Sequence, residues 1–348
     1  MKKLQTFPLI VWLVMIFGVA GVIAENNNLP TSSPMATPQV TILALNLAGT
    51  EIRLFPAGYD IWACDWSPDG KALVCAGKIQ GEDSLKMRIW YQVLDPVGDL
   101  TPLTNTDQLA DFAPRWSPDG TKIVMTRRSF KSNNLTSAIW LKEIPGGAGK
   151  QLTIGPEDRD PAWSPNGAQI VFCRSQGPYK ADIMLFNISD NTTKVLISKD
   201  GELLNNPWWG KDGKIYFTKF CPGPKTVQVS NQTYAVMDFG KGSIWALNPE
   251  DNSITPVVVD EYDNRAPVLS PDGAKLAFVS DRNLSKDSTS KLDRGGLYIK
   301  DLKNDQIYFI TSKVGLNGAS VTWNPDGKRI AFFTFRSIRP SVWVITLP

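Results

Sequence analysis

The chain has 348 residues, 42% hydrophobic and 20% charged, which leaves ample apolar material for a core. Its net charge is +3 and no run of like charge occurs, so the basic stripe that nucleic-acid binding requires is missing. Histidine is absent altogether, which removes Ser-His-Asp and Cys-His catalysis, histidine general bases and histidine metal ligands.

Lys2 and Lys3 precede an apolar segment from Leu9 to Ala24, and Val22 and Ala24 sit three residues and one residue before a polar stretch. The pattern reads as a secretory leader over 1–24, cleaved before Glu25. An uncleaved anchor is the other reading of so long an apolar run. Either one places the bulk of the protein outside the cytoplasm, periplasmic or secreted, with no membrane span once the leader is removed. Residues 25–39 space Pro30, Pro34 and Pro38 evenly among Asn, Ser and Thr, as in a semi-extended tether. Val40 to Leu47 and Thr50 to Phe55 then read as two strands about Ala48-Gly49. They resemble the outer half of a sheet unit, with no hairpin before them.

From there one motif recurs. Trp66-Ser67-Pro68-Asp69-Gly70 is followed by copies at Trp116–Gly120 and Trp163–Gly167, and by variants at Trp209–Gly213, Leu269–Gly273 and Trp323–Gly327. A period of roughly 50 residues is the signature of a repeat architecture. Ser, Pro, Asp and Gly in this order suit a type I turn, so each copy reads as a β-hairpin. Apolar triplets such as Ile139-Trp140-Leu141 and Ile183-Met184-Leu185 supply a third strand, and segments such as Gln306–Thr311 a fourth. Four strands make one blade, apolar on both faces and unstable alone, so the blades must stack around an axis. The last repeat ends after its third strand, Val342–Ile345, while the segment after Val40 has strands to spare. Lending one closes the ring and removes two exposed edges. The expectation is all-β: a six-bladed β-propeller over 40–348, closed by an N-terminal strand, with the repeat tryptophans packed between blades.

Four cysteines in an exported chain pair in three complete ways. Cys64 and Cys75 flank the first turn, and Cys173 and Cys221 end hairpins of adjacent repeats. Four free thiols remain equally open.

The repeat resembles that of TolB-type β-propellers, found in extracytoplasmic bacterial proteins. The match rests on Ala113-Pro114-Arg115-Trp116-Ser117-Pro118-Asp119-Gly120 and on Ala277-Phe278-Val279-Ser280-Asp281-Arg282. The resemblance implies the fold over Val40 to Pro348. It leaves function open, because such propellers serve binding proteins, lyases and protease accessory domains alike. TolB itself has an α/β domain ahead of the blades, where only the tether stands here. The lyases use histidines for metal and base work, and the peptidases carry a hydrolase domain after the propeller.

Basic residues recur just past the second strand of a unit: Arg127 and Arg128, Arg174, Lys219, Arg282 and Arg336. Loops on the same face carry Asp107, Asp111, Asp158, Asp160, Asp260 and Asp263. The plain reading is a ring of salt bridges between neighbouring loops, worth about 0–1 kcal/mol each. The functional reading is a polar mouth for an anionic or protein partner. The position four residues before the repeat tryptophan falls at the start of the innermost strand, opposite the turns. It holds Trp62, Phe112, Arg159, Asn205, Arg265 and Ala319. Two aromatics and two arginines around one opening suit a ligand.

Asp158-Arg159-Asp160 and Asp260–Asp263 lack the spacing of a calcium loop. No phosphate loop, C-x-x-C pair or G-x-S-x-G elbow is present. The expectation is a monomeric, exported, non-catalytic propeller without metal or cofactor, binding a protein or cell-envelope ligand and no nucleic acid. Its candidate binding residues are Trp62, Phe112, Arg159, Asn205, Arg265, Arg128, Arg174 and Arg336. The alternative is a polysaccharide hydrolase or lyase, which requires two carboxylates about 5–10 Å apart in the funnel.

Overall fold

The computed structural model describes residues 44–45, 51–53, 55 and 58–347, except 95–97, 106–108, 132–133, 145, 230–231, 283–294, 313, 316–319 and 335–338. The leader and tether expected at 1–39 lie outside the described residues. No helix among the described residues is long and apolar enough to cross a membrane.

Six antiparallel blades follow one another, each running from the channel outwards. Blade I comprises Tyr59–Trp66, Ala72–Ile79, Arg88–Val93 and Thr101–Pro102. Blade II comprises Leu109–Trp116, Lys122–Lys131, Asn134–Glu143 and Gly149–Gln151, and blade III Asp158–Trp163, Gln169–Ser175, Ala181–Asn187 and Thr193–Ile197. In blade IV the strands are Leu203–Trp209, Ile215–Phe220, Ser243–Leu247 and Ile254–Val258, and in blade V Asn264–Leu269, Lys275–Ser280, Gly296–Asp301 and Ile307–Ser312. Blade VI takes Val321–Trp323, Arg329–Thr334 and Ser341–Thr346 from the end of the chain. Its fourth strand is Glu51–Arg53, paired antiparallel with Ile345, Val344 and Trp343, and Ala44–Leu45 lies beyond it. The expected N-terminal closure is therefore present.

The turn chemistry that the repeat spells out is formed in full. In the second copy the Ser117 hydroxyl donates to Asp119 Oδ1 at 2.5 Å and accepts from the Lys122 N–H at 2.9 Å. Asp119 Oδ1 also accepts from the Thr121 N–H at 3.0 Å. Gly120 closes the turn at φ 70°, a left-handed value that glycine adopts without strain. Hydrogen bonding holds the Asp119 carboxyl down at about 2.

Apolar side chains on both faces of each blade fill the gaps between neighbours. One buried cluster lies at every interface, including that of blade VI with blade I, where Ala331, Val342 and Val344 meet Ile61, Trp66 and Leu73. Trp66, Trp116, Trp163 and Trp323 are buried in these seams. The indole N–H of Trp163 donates to the Arg115 carbonyl at 3.2 Å and that of Trp323 to the Val268 carbonyl at 3.1 Å, each reaching the preceding blade.

One sequence expectation changes. Cys64 and Cys75 are disulfide-bonded, but Cys173 is a buried free thiol and Cys221 an exposed one, so no bridge joins blades III and IV. The segment from Phe220 to Lys241, which has no counterpart in the repeat, carries a β-hairpin of Gly223–Val229 and Gln232–Asp238. It projects between the second and third strands of blade IV.

Candidate functional site

The innermost strands of blades II to V share a local defect that aims side chains into the channel. Their pairing with the second strand slips between Phe112 and Arg115, Arg159 and Ala162, Asn205 and Trp208, and Arg265 and Val268. In each slip one non-glycine residue adopts a left-handed backbone: Ala113 at φ 46°, Asp160 at 55°, Asn206 at 50° and Ala266 at 52°. Each is followed by a proline, Pro114, Pro161, Pro207 or Pro267, which lacks the N–H a continuous ladder would need. Such a conformation costs on the order of 1–3 kcal/mol and persists only where its surroundings impose it. Here the preceding blade does so: the Asp160 N–H donates to Thr126 Oγ1 at 3.0 Å, and the Ala266 N–H to Thr218 Oγ1 at 3.1 Å.

The residue before each kink thereby reaches the axis. Trp62, Phe112, Arg159, Asn205 and Arg265, from five blades, line one cavity of about 250 Å³ at the end opposite the turns. Arg128, Trp208 and Phe220 join them. Of the candidate residues, Arg174 stands apart: it grips Asp158 within blade III at 2.7 and 2.9 Å and does not line the cavity. Arg336, Ala319 and Asp107 lie outside the described residues.

The ring of ion pairs exists, each base at or just past a second strand meeting an acid at or just before the first strand of the same blade. Arg127 binds Asp111 at 2.7 and 2.8 Å, Lys219 binds Glu202 at 3.2 Å, and Arg282 binds Asp260. The cations also stack on rings, Arg127 4.6 Å from Trp140 and Lys219 4.1 Å from Trp245. Arg265 is held by both oxygens of Asp263, at 2.8 and 2.6 Å.

Two cations of the cup are less well satisfied. Arg128 is 4% exposed, sits 5.2 Å from the Phe112 ring centre, and makes no ion pair among the described residues. Its Nε is buried without a hydrogen-bond partner, as is Nη1 of Arg159. Arg159 uses Nη2 on Asn205 Oδ1 at 2.6 Å, and its Nε lies 3.7 Å from Asp160. Burial pulls the Arg128 guanidinium below its ordinary value, with nearby Glu157 opposing the pull. Arginine does not give up its proton, so the burial is a standing cost of about 1–3 kcal/mol for each orphaned donor.

Sequence reasoning missed the floor of the cup. Arg115 and Trp208 also line a second cavity of about 460 Å³ at the turn face, so they form a waist between the two. The Arg115 guanidinium stacks 5.3 Å from Trp208 and lies 4.0 Å from buried Asp65. The doubled tryptophan at 208–209, with one ring too many for the repeat, was the available signal.

Fold and cup together define a six-bladed β-propeller with dissimilar, chemically active side chains gathered at one mouth. A stretch of 110 residues is 26% identical to the Tol-Pal system protein TolB of Alcanivorax borkumensis, covering 32% of this chain and 23% of that protein. An Agrobacterium tumefaciens protein assigned to TolB superposes with a TM-score of 0.61 at 20% identity, over 85% of this chain and 94% of the other. An oligogalacturonate lyase in complex with manganese superposes with a TM-score of 0.57 at 15% identity, over 90% and 99%. No protein-family model matches the chain. In fold, the chain is a TolB-like β-propeller.

Proposed function

We propose that this chain is an exported, non-catalytic propeller that captures a protein or cell-envelope ligand in the loop-face cup. The observation that carries the reading is the convergence of Trp62, Phe112, Arg159, Asn205 and Arg265 on one cavity, each turned inward by a kink or slip of its strand. Aromatic faces and guanidinium groups at one concave opening are the side chains that dominate binding hot spots. The Cys64–Cys75 disulfide favours an oxidising compartment, as does the similarity to TolB.

A carboxylate-based hydrolase or lyase fits less well. Asp160 is the one carboxylate among the described residues lining the cup, and two-carboxylate glycoside chemistry needs a pair. The side chains present do not fit manganese either. The chain has no histidine, and no three Cys, Asp or Glu groups gather as a metal site among the described residues.

The test is affinity capture with crosslinking from the native envelope fraction. Wild type would be compared with a cup variant (Trp62→Ala with Arg159→Gln) and a turn-face variant (Pro118→Ala with Pro165→Ala). The cup variant should lose its partner while melting as a folded protein, and the turn-face variant should keep it. Full capture by a folded cup variant would place the partner elsewhere, most simply on the 223–238 hairpin.

A further inference from the structure

Arg127 and Arg128 are consecutive on the strand Lys122–Lys131, so their side chains leave opposite faces of blade II. Arg127 meets Asp111, as the ring of ion pairs requires. Arg128 turns instead into the cup and finds no carboxylate. Arg174, Arg265 and Arg282 each have one. Glu157 is near Arg128 but beyond ion-pair distance. Its own Oε1 is buried without a partner, and it does not line the cup. Four guanidinium groups line the cavity, and Arg115, Arg159 and Arg265 lie by Asp65, Asp160 and Asp263, which leaves Arg128 as the one without a carboxylate at ion-pair distance among the described residues. The free donors, Arg128 Nε and Arg159 Nη1, belong to two guanidinium groups lining the same space. The remaining walls include Trp62, Phe112, Trp208 and Phe220.

We infer that Arg128 and Arg159 form a subsite for a single carboxylate carried on an apolar or aromatic body. The subsite rests on the cup being the binding site. A carboxylate is planar and singly charged, so it accepts from two guanidinium groups and supplies the ion-pair partner that Arg128 lacks. A phosphate dianion would bring a second negative charge that no further unpaired guanidinium meets. Such a carboxylate belongs either to the free C-terminus of a peptide or to a small organic acid.

Calorimetric titration of the full chain separates the cases. N-acetyl-phenylalanine should bind, its amide at least tenfold more weakly, and inorganic phosphate and glucuronate more weakly still. A heptapeptide ending in phenylalanine that binds tenfold tighter than the single residue assigns the carboxylate to a chain terminus, and equal binding assigns it to a small acid. Arg128→Met should weaken N-acetyl-phenylalanine at least tenfold. It should also melt at the wild-type temperature or above, because it removes a buried charge that has no partner. Arg159→Gln, read the same way, serves if that variant does not fold. Equal affinity for acid and amide, or tighter binding of phosphate or glucuronate, overturns the subsite. So does an Arg128→Met protein that melts several degrees lower with affinity retained, since Arg128 would then serve Glu157. If no probe binds while the cup variant still abolishes partner capture, the cup reading stands and the carboxylate subsite falls.

Discussion

At the turn face, Pro68, Pro118, Pro165, Pro271 and Pro325 surround a cavity with Trp116, Trp163 and Trp323. At the loop face the same innermost strands present Trp62, Phe112, Arg159, Asn205 and Arg265. One strand thus ends in a residue type that recurs from blade to blade and begins with one that does not. Recurrence marks positions where the fold has a single physical solution, a tight turn and an interblade seam. Variation marks positions that the fold leaves free, provided that a kink holds the backbone. Arg115 and Trp208, stacked across the waist, keep the two ends separate.

The comparison breaks most completely if the ring itself opens. Deleting residues 40–55 removes the strand that pairs with Trp343 to Ile345 and should yield insoluble or aggregated protein. A soluble truncation that melts cooperatively would defeat the closure scheme. Within one strand, Trp116→Ala should cost ~3–5 kcal/mol in denaturant unfolding, whereas Phe112→Ala, half-buried at the other end, should cost under ~2 kcal/mol. Equal losses would mean that both ends serve packing. Replacing Cys64 and Cys75 together by alanine should cost ~2–3 kcal/mol, as expected for a loop of 11 residues. An unchanged denaturant midpoint would show that the blade I hairpin needs no staple.

The smallest effect concerns acid. Asp69, Asp119 and Asp272 are all held below the ordinary carboxylate range, each chiefly by the serine hydroxyl two residues before it. Their folded-state values are depressed, so their contribution is complete above the unfolded value near 4. It fades as pH falls from there towards about 2, the Asp119 value. Solvent screening keeps each below ~1 kcal/mol. Ser117→Ala should flatten the dependence of melting temperature on pH between 4 and 2, and an unaltered slope would remove the turns from the acid response.

Much of the ring was legible because its information is local and repeated. Trp-Ser-Pro-Asp-Gly encodes a turn and a seam in five residues, and the unpaired strands at the two ends of the repeat encode the closure. The rim positions were legible too, since counting back from the tryptophan finds the same point on blades I to V. Three features were less plain. The 223–238 hairpin has no counterpart in other repeats to align it with. Arg174 looks equivalent to Arg128 when both are read as bases beyond a second strand, yet strand alternation sends them to different faces. The kinks were signalled by Pro114, Pro161, Pro207 and Pro267, whose missing N–H within an inner strand forecasts a bulge. Their left-handed neighbours, alanine at two of the four, gave no sign of their own.

The shared sixth blade also sets a timetable. Thr322 Oγ1 donates to Asp65 at 2.8 Å across 257 residues of chain, in the seam that Ala331, Val342 and Val344 fill against blade I. At synthesis rates of roughly 5–20 residues per second, blade I waits on the order of tens of seconds for that neighbour. Until it arrives, Ile61, Trp66 and Leu73 lack the blade VI side chains they pack against. An emerging chain therefore carries an adhesive flank until its final strands are delivered. A stalled or truncated product would expose the same flank indefinitely, which makes the first blade the natural place for a holding chaperone to grip.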